Sequence, residues 1–414
     1  MAMRERQLGT ATYSSGNISL VQLPRDAVYH TLQVSCFGGT FATTQGAMGT
    51  GPGLVPGFPF TLIRQVRVIR NGSDVVAQMS GEQLAKEHYY LNGEFPKARL
   101  YTTTSNVETL RTQTVRGVTI PANSDGIGAN GGGGTLATSF TVPDAPAGTG
   151  TLSFDMQCDL YFQLGVDDAY YSTIVDARKL ASFDLEITWA TEASQISIAG
   201  TANTSSAASM SLNILSLDQD NLEVKDEFMT FKRSTNSISN YAYGSSNNQL
   251  ILPRGNFFYG MIMGTRAYKA GSTVNPIAEN AVLGQILNRI NTNFQLRSVT
   301  FQQLQAKNIS DQGGRAQPWE TSQGGPQGYA QLLYVNAGDR VAEMIPTYAM
   351  DMFDLQLAIN AIGSAQNGVT TSNTAPVLDF LYEEVIPSVS SGGSAPRGAM
   401  AGSIGSVSAK PYAR

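Results

Sequence analysis

The sequence predicts an all-β chain made of two similar sandwich units in tandem. Three observations carry this. Short alternating segments separated by turn residues dominate the chain, a motif near its start recurs past its middle, and another recurs near the end of each half. At 414 residues the chain is also too long for one ordinary core and sufficient for two.

The alternation is the primary signal. Phe183-Asp184-Leu185-Glu186-Ile187-Thr188-Trp189 puts its apolar residues on one side and its polar ones on the other, the period of two of a half-buried strand. Leu62-Ile63-Arg64-Gln65-Val66-Arg67-Val68-Ile69-Arg70 alternates apart from Ile63, which keeps Arg64, Arg67 and Arg70 off a single face. It stops at Asn71-Gly72, two residues that tolerate positive φ and mark a turn. Further strands are expected at 153–162, 211–217, 257–263, 294–301 and 377–385. Helices are expected to be few and short, at 81–90, 169–180 and 280–290. Short strands with turn residues between them indicate a sandwich or barrel.

The repeat gives the domain organisation. Ile18-Ser19-Leu20-Val21-Gln22-Leu23-Pro24-Arg25 precedes a strand from Val28, and Gln249-Leu250-Ile251-Leu252-Pro253-Arg254 precedes one from Phe257. Proline ends the first strand of each pair because it has no N–H to donate. Phe183-Asp184-Leu185-Glu186-Ile187 likewise has its partner in Phe353-Asp354-Leu355-Gln356-Leu357. Start matches start and end matches end, so the boundary falls near Asp218-Gln219-Asp220-Asn221. Gly-, Ser- and Thr-rich stretches at 43–59 and 122–150 read as long loops, and such length is usually functional. The last stretch, from Ser388, carries Arg397, Lys410 and Arg414 with no acidic residue and reads as a flexible tail.

Phe60 to Asp74, a strand ending in Asn-Gly and leading through Gly81-Glu82-Gln83-Leu84 to a short helix, together with Leu160-Tyr161-Phe162, Asp176-Ala177 and the strand from Phe183 to Trp189, resembles the double jelly-roll major capsid proteins of tailless icosahedral viruses. The resemblance is one of strand order over residues 10–390. It implies two eight-stranded jelly rolls, at 1–218 and 221–388, with a tail at 389–414. It further implies a trimer of pseudo-hexagonal outline, tiling with neighbouring capsomers in a virion assembled in a host cytoplasm. The implied partners are copies of the chain itself, minor capsid or vertex proteins, and an internal viral membrane reached through the termini.

Composition is consistent with a chain that hides its surface in an assembly. Charged residues make up 14%, against roughly 25% in a typical soluble domain. The net charge of −5 argues against a specific nucleic-acid partner, because phosphate binding needs a basic footprint. The opening residues lack the apolar stretch of a signal peptide, and no run of about 18 apolar residues occurs, which predicts synthesis in a cytosol.

No catalytic, cofactor-binding or metal site is expected, and the chain is read as a non-enzyme. His30 sits in a strand-like run and His88 on the short helix, both typical of structural histidines. Gly49-Thr50-Gly51-Pro52-Gly53 is glycine-rich, but Pro52 removes an amide that a phosphate would need. Paired carboxylates stand at Asp167-Asp168, at Asp218, Asp220 and Glu223, and at Glu383-Glu384. The middle group lacks the glycine turn of a calcium loop and reads as solvated acids at a domain junction, with a cation bridging subunits as the alternative. Cys36 and Cys158 read as buried small hydrophobes, with one disulfide as the alternative. Arg64, Arg67 and Arg70 read as charges guarding a strand edge or bridging to a neighbouring subunit. The rival reading of the whole chain is a carbohydrate-binding or receptor-binding β-sandwich, which would need an aromatic platform or a carboxylate pair in a cleft.

Overall fold

The computed structural model describes residues 3–44, 53–54, 57–92, 96, 98–104, 107–110, 112–115, 118–121, 140–141, 149–163, 173–195, 206–220, 229–268, 276–291, 294–311, 328–335, 344–361 and 375–386. The tail from Ser388, most of both long loops, Asp167, Asp168 and Glu223 lie outside the described residues.

In the first half the main strands are β1 (Arg4–Thr12), β2 (Ile18–Gln22), β3 (Val28–Thr44), β4 (Ile63–Arg70), β5 (Asp74–Met79), β6 (Thr149–Tyr161), β7 (Phe183–Trp189) and β8 (Ser211–Gln219). They pair in the orders β1-β8-β3-β6 and β2-β7-β4-β5. The second half holds β9 (Thr230–Ile238), β10 (Asn248–Ile251), β11 (Phe257–Ala267), β12 (Leu283–Ile290), β13 (Phe294–Thr300), β14 (Tyr329–Leu333), β15 (Phe353–Ile359) and β16 (Val377–Ile386). Their orders are β9-β16-β11-β14 and β10-β15-β12-β13. This is the same strand order twice, and each set of eight is a jelly roll. One helix follows the fifth strand of each set, α1 (Gly81–Asn92) and α2 (Phe301–Asp311).

The repeated sequence motifs make the same hydrogen bonds in both rolls. Past β2, the Leu23 amide donates to the Phe183 carbonyl (2.8 Å), and past β10 the Leu252 amide donates to that of Phe353 (2.9 Å). The arginine of each Leu-Pro-Arg then caps the approach to the seventh strand. Arg25 donates to the Leu180 and Ala181 carbonyls, and Arg254 to those of Met350 and Asp351. Asn71 and Asn291 each adopt a left-handed turn conformation, φ 51° and 49°. Their amides donate to the Ser182 and Met352 carbonyls, while their side-chain oxygens accept from the amides of Ala181 and of Asp351 and Met352. Both helices start in a reciprocal cap. Ser80 and Gln83 exchange backbone and side-chain bonds, as do Thr300 and Gln303.

Each core follows from the alternation. In β7, Phe183, Leu185, Ile187 and Trp189 are buried and the residues between them are half-buried. They join Tyr29, Phe154 and Ile214 in the first core, and Phe258, Phe353, Leu355 and Phe380 anchor the second. Each large apolar side chain so buried contributes about 1.5–3 kcal/mol. Cys36 and Cys158 are free and buried in the first core.

Two expected helices are not found among the described residues. Residues 283–290 form β12, and in 169–180 the described part is a short strand, Val175–Asp176, and one 3-10 turn, Ala177–Lys179. The apolar spacing of Leu283, Ile286, Leu287 and Ile290 imitates a helix because a bulge between Leu283 and Ile286 turns both inward. Strand β13 ends at Thr300, and Phe301 opens α2, which was not anticipated. The arginines guard no edge: β4 lies between β7 and β5, with Arg67 paired to Glu186 (2.8 Å) and Arg70 to Asp74. Among the described residues no helix is long and apolar enough to cross a membrane.

Candidate assembly site at the junction between the rolls

The two rolls meet along a sheet edge and a helix. Strand β5 pairs in parallel with β9 at Ala77 and Arg233, so one sheet of the first roll continues into one of the second. Helix α1 fills the angle behind that edge, packed on β4 and β6 of its own roll and on β11 of the other. Glu82, Gln83, Lys86 and Glu87 are consequently all buried. Ile262, Tyr329 and Leu381, on the second roll's outward sheet face, join the first roll's core.

The ionisable side chains at this seam are largely buried. Arg233 lies 3.3 Å from Glu87 and donates to the Tyr161 carbonyl, with its guanidinium 4.7 Å from the Phe231 ring centre. Glu383 stands opposite Arg233 across the β9–β16 ladder and accepts from Gln331 (3.4 Å). Burial pushes the Glu383 carboxyl up to about 8, with repulsion from Glu87 adding to it. Burial also raises Glu87, opposed by Arg233. Further along, Arg266 pairs with Asp379, with Glu82 at 4.0 Å, and the Lys86 ammonium sits 5.2 Å from the Tyr329 ring centre. A cleft of about 350 Å³ opens at this end, lined by Thr61, Arg64, Glu82 and Gln195 of the first roll and Arg266 and Ala278 of the second. The junction is a structural joint in which Arg233 faces Glu87 and Arg266 faces Asp379, while Glu383 Oε1 and the Nε and Nη2 of Arg233 are buried without a hydrogen-bond partner.

The other residues singled out in the sequence are dispersed. His30 is buried with Nδ1 3.4 Å from Gln163 and Nε2 3.3 Å from Gln219, and burial lowers its pKa. His88 accepts the Asp159 amide at Nδ1 (3.4 Å) and tilts against the Tyr161 ring. Asp218 is not a solvated acid: it is fully buried, 2.5 Å from Arg4 and 3.1 Å from Arg6, because β8 pairs with β1. Asp220 also pairs with Arg4. Glu383 and Glu384 are buried too, the latter accepting from Asn256 (2.9 Å). Among the described residues no group of three or more His, Cys, Asp or Glu is placed to hold a metal ion. Sequence reading missed the joint itself; the small Ala77 facing a buried Arg233 has no local signature.

Strand order and joint together define a double jelly roll. Solved structures share it along nearly the whole chain. The major capsid protein of Sulfolobus turreted icosahedral virus is similar with a TM-score of 0.58 at 12% identity, covering 93% of this chain and 97% of that one. A chain of the PBCV-1 virus capsid gives 0.51 at 12%, covering 93% of each chain. The Faustovirus major capsid protein gives 0.51 at 9%, covering 94% of this chain and 90% of that one. No family model matches the sequence, and no curated protein is significantly similar to it. At these identities the likeness establishes the fold.

Proposed function

We propose that this chain is the major capsid protein of a tailless icosahedral virus and works by self-assembly, not catalysis. The observation that carries the reading is the correspondence, over 93–94% of this chain and both of its rolls, with three viral capsid chains. Three chains, each with a roll from 1–218 and one from 221–388, supply six similar wedges, and heterologous contacts close them into a ring. The tail at 389–414 and the opposite terminus face the virion interior, where three basic residues, Arg397, Lys410 and Arg414, meet minor proteins or anionic lipid. Assembly takes place in the host cytoplasm.

Light scattering on the purified full chain tests this. The expected mass is three times 44.1 kDa, with hexagonal outlines and shell fragments in electron micrographs. A chain that stays monomeric at every concentration and binds glycans is instead a carbohydrate-binding or receptor-binding sandwich.

A further inference from the structure

The cleft at the joint opens at the end of the molecule opposite the chain termini. Arg4 stands opposite Asp218 and Thr230 opposite Ile386, so the first strand, the last strand and the junction between the rolls share one end. The cleft is built at the other. Its walls come from the start of β4, the residues that follow β5 and β7, and the last residues of β11. With the termini inside a shell, this is the end that faces outward.

One cation in the cleft is free. Of the three arginines on β4, Arg67 and Arg70 are paired with acids, whereas Arg64 makes no ion pair or hydrogen bond among the described residues and is exposed. On the second roll's wall Arg266 is held by Asp379 and stands 4.0 Å from Glu82, so its charge is already answered. A free guanidinium on a cleft wall is a forked donor for a carboxylate or another oxyanion.

The rest of the lining calls for hydroxyl donors. Thr61 Oγ1 donates to Gln195 Oε1 (2.5 Å), and Ser194 Oγ donates to the Thr191 carbonyl (2.6 Å). The buried Gln195 fixes this wall, its Nε2 donating to Ser194 Oγ (2.9 Å) and to the Thr61 carbonyl (3.2 Å). With their hydrogens directed at protein acceptors, Thr61 and Ser194 have only lone pairs left to offer a ligand, and Glu82 adds a carboxylate. A bare oxyanion meets one cation there and several acceptors that repel it. A neutral sugar leaves Arg64 unanswered and finds no aromatic ring in the lining among the described residues. A carboxylate that also carries hydroxyls satisfies both. At about 350 Å³ the cleft has room for such a small organic acid, near the lower end of the usual range for ligand sites.

We propose that this cleft binds a hydroxylated carboxylate of the sugar-acid class, its carboxylate against Arg64 and its hydroxyls donating to Thr61, Ser194 and Glu82. The shell reading above enters only in placing the cleft on the outer surface. There it meets both free sugar acids and the acidic polysaccharide of a host surface, and the chemistry recognised is the same in the two sources.

Isothermal titration of the full chain with glucuronate, glucose and inorganic phosphate tests this, with a glucuronate-containing oligosaccharide as a fourth ligand. Glucuronate is expected to bind about tenfold or more tightly than glucose or phosphate. Arg64→Ala should abolish that preference over glucose without moving the melting temperature, because the side chain is exposed and unpaired. Thr61→Val should weaken glucuronate about tenfold and leave phosphate unchanged. Absence of glucuronate binding, phosphate or glucose binding as tightly, or an Arg64→Ala variant that binds glucuronate as the wild type does, overturns the site. Tighter binding of the oligosaccharide than of glucuronate assigns the source as a polysaccharide, and equal binding assigns the free acid; both uphold the site. Light scattering on the same samples separates the two readings. A trimer indifferent to glucuronate refutes the cleft and leaves the shell, whereas a monomer that binds it removes the shell and keeps the cleft.

Discussion

Arg233 of the second roll and Glu87 of the first lie 3.3 Å apart with both side chains essentially inaccessible to water. Such a pair adds little net stability relative to packed apolar groups, because both ions were desolvated to make it. Losing one member is a different matter. Arg233→Met strands Glu87 and Glu383 without their cation and should cost about 3–5 kcal/mol in urea unfolding. Adding Glu87→Leu and Glu383→Leu should recover much of it.

Glu383 gives the joint a pH dependence whose sign follows from its environment. The folded chain holds its proton up to about 8, whereas the unfolded chain releases it in the ordinary glutamate range. Between those limits the folded state binds more protons, so stability falls as pH rises. The penalty is absent below the ordinary range and complete above about 8. Thermal melts of the wild type against Glu383→Gln should show the wild type losing ground steadily from pH 5 to pH 8.5; a constant difference would refute the assignment.

Asn71 and Asn291 combine positive φ with side-chain capping of the following seventh strand. Alanine at either site strains the backbone by about 1–2 kcal/mol and also forfeits the side-chain bonds. Glycine keeps the conformation and loses the bonds alone. The melting order expected is wild type, glycine, alanine, at both positions.

Ser80→Ala and Thr300→Ala each remove an acceptor from the first turn of a helix, at a cost of about 1 kcal/mol. Hydrogen exchange should show both helices fraying from their first turns. The local effect in α1 should be followed by loss of protection in β9, because α1 lies in the joint.

Much of this fold was legible in the chain. Alternation located β7, β8, β11 and β16, and the paired Leu-Pro-Arg and Phe-Asp-Leu motifs located the second and seventh strands of both rolls. What misled was local irregularity. A bulge in β12 produces a helix-like spacing, and the Thr300–Gln303 cap, a usable signal for α2, follows directly on the alternation of β13 and is masked by it.

Sequence alone determined that there are two rolls and which residues of the regularly alternating strands face inward, since both follow from short-range pattern and the period of a strand. Tertiary structure decided which outward faces are covered. Arg233 and Glu5 occupy the same place in the same strand of their rolls, yet one is buried and the other exposed. The difference arises because, among the described residues, a neighbouring roll lies against the first and not against the second, and no pattern within a strand encodes what is packed outside it.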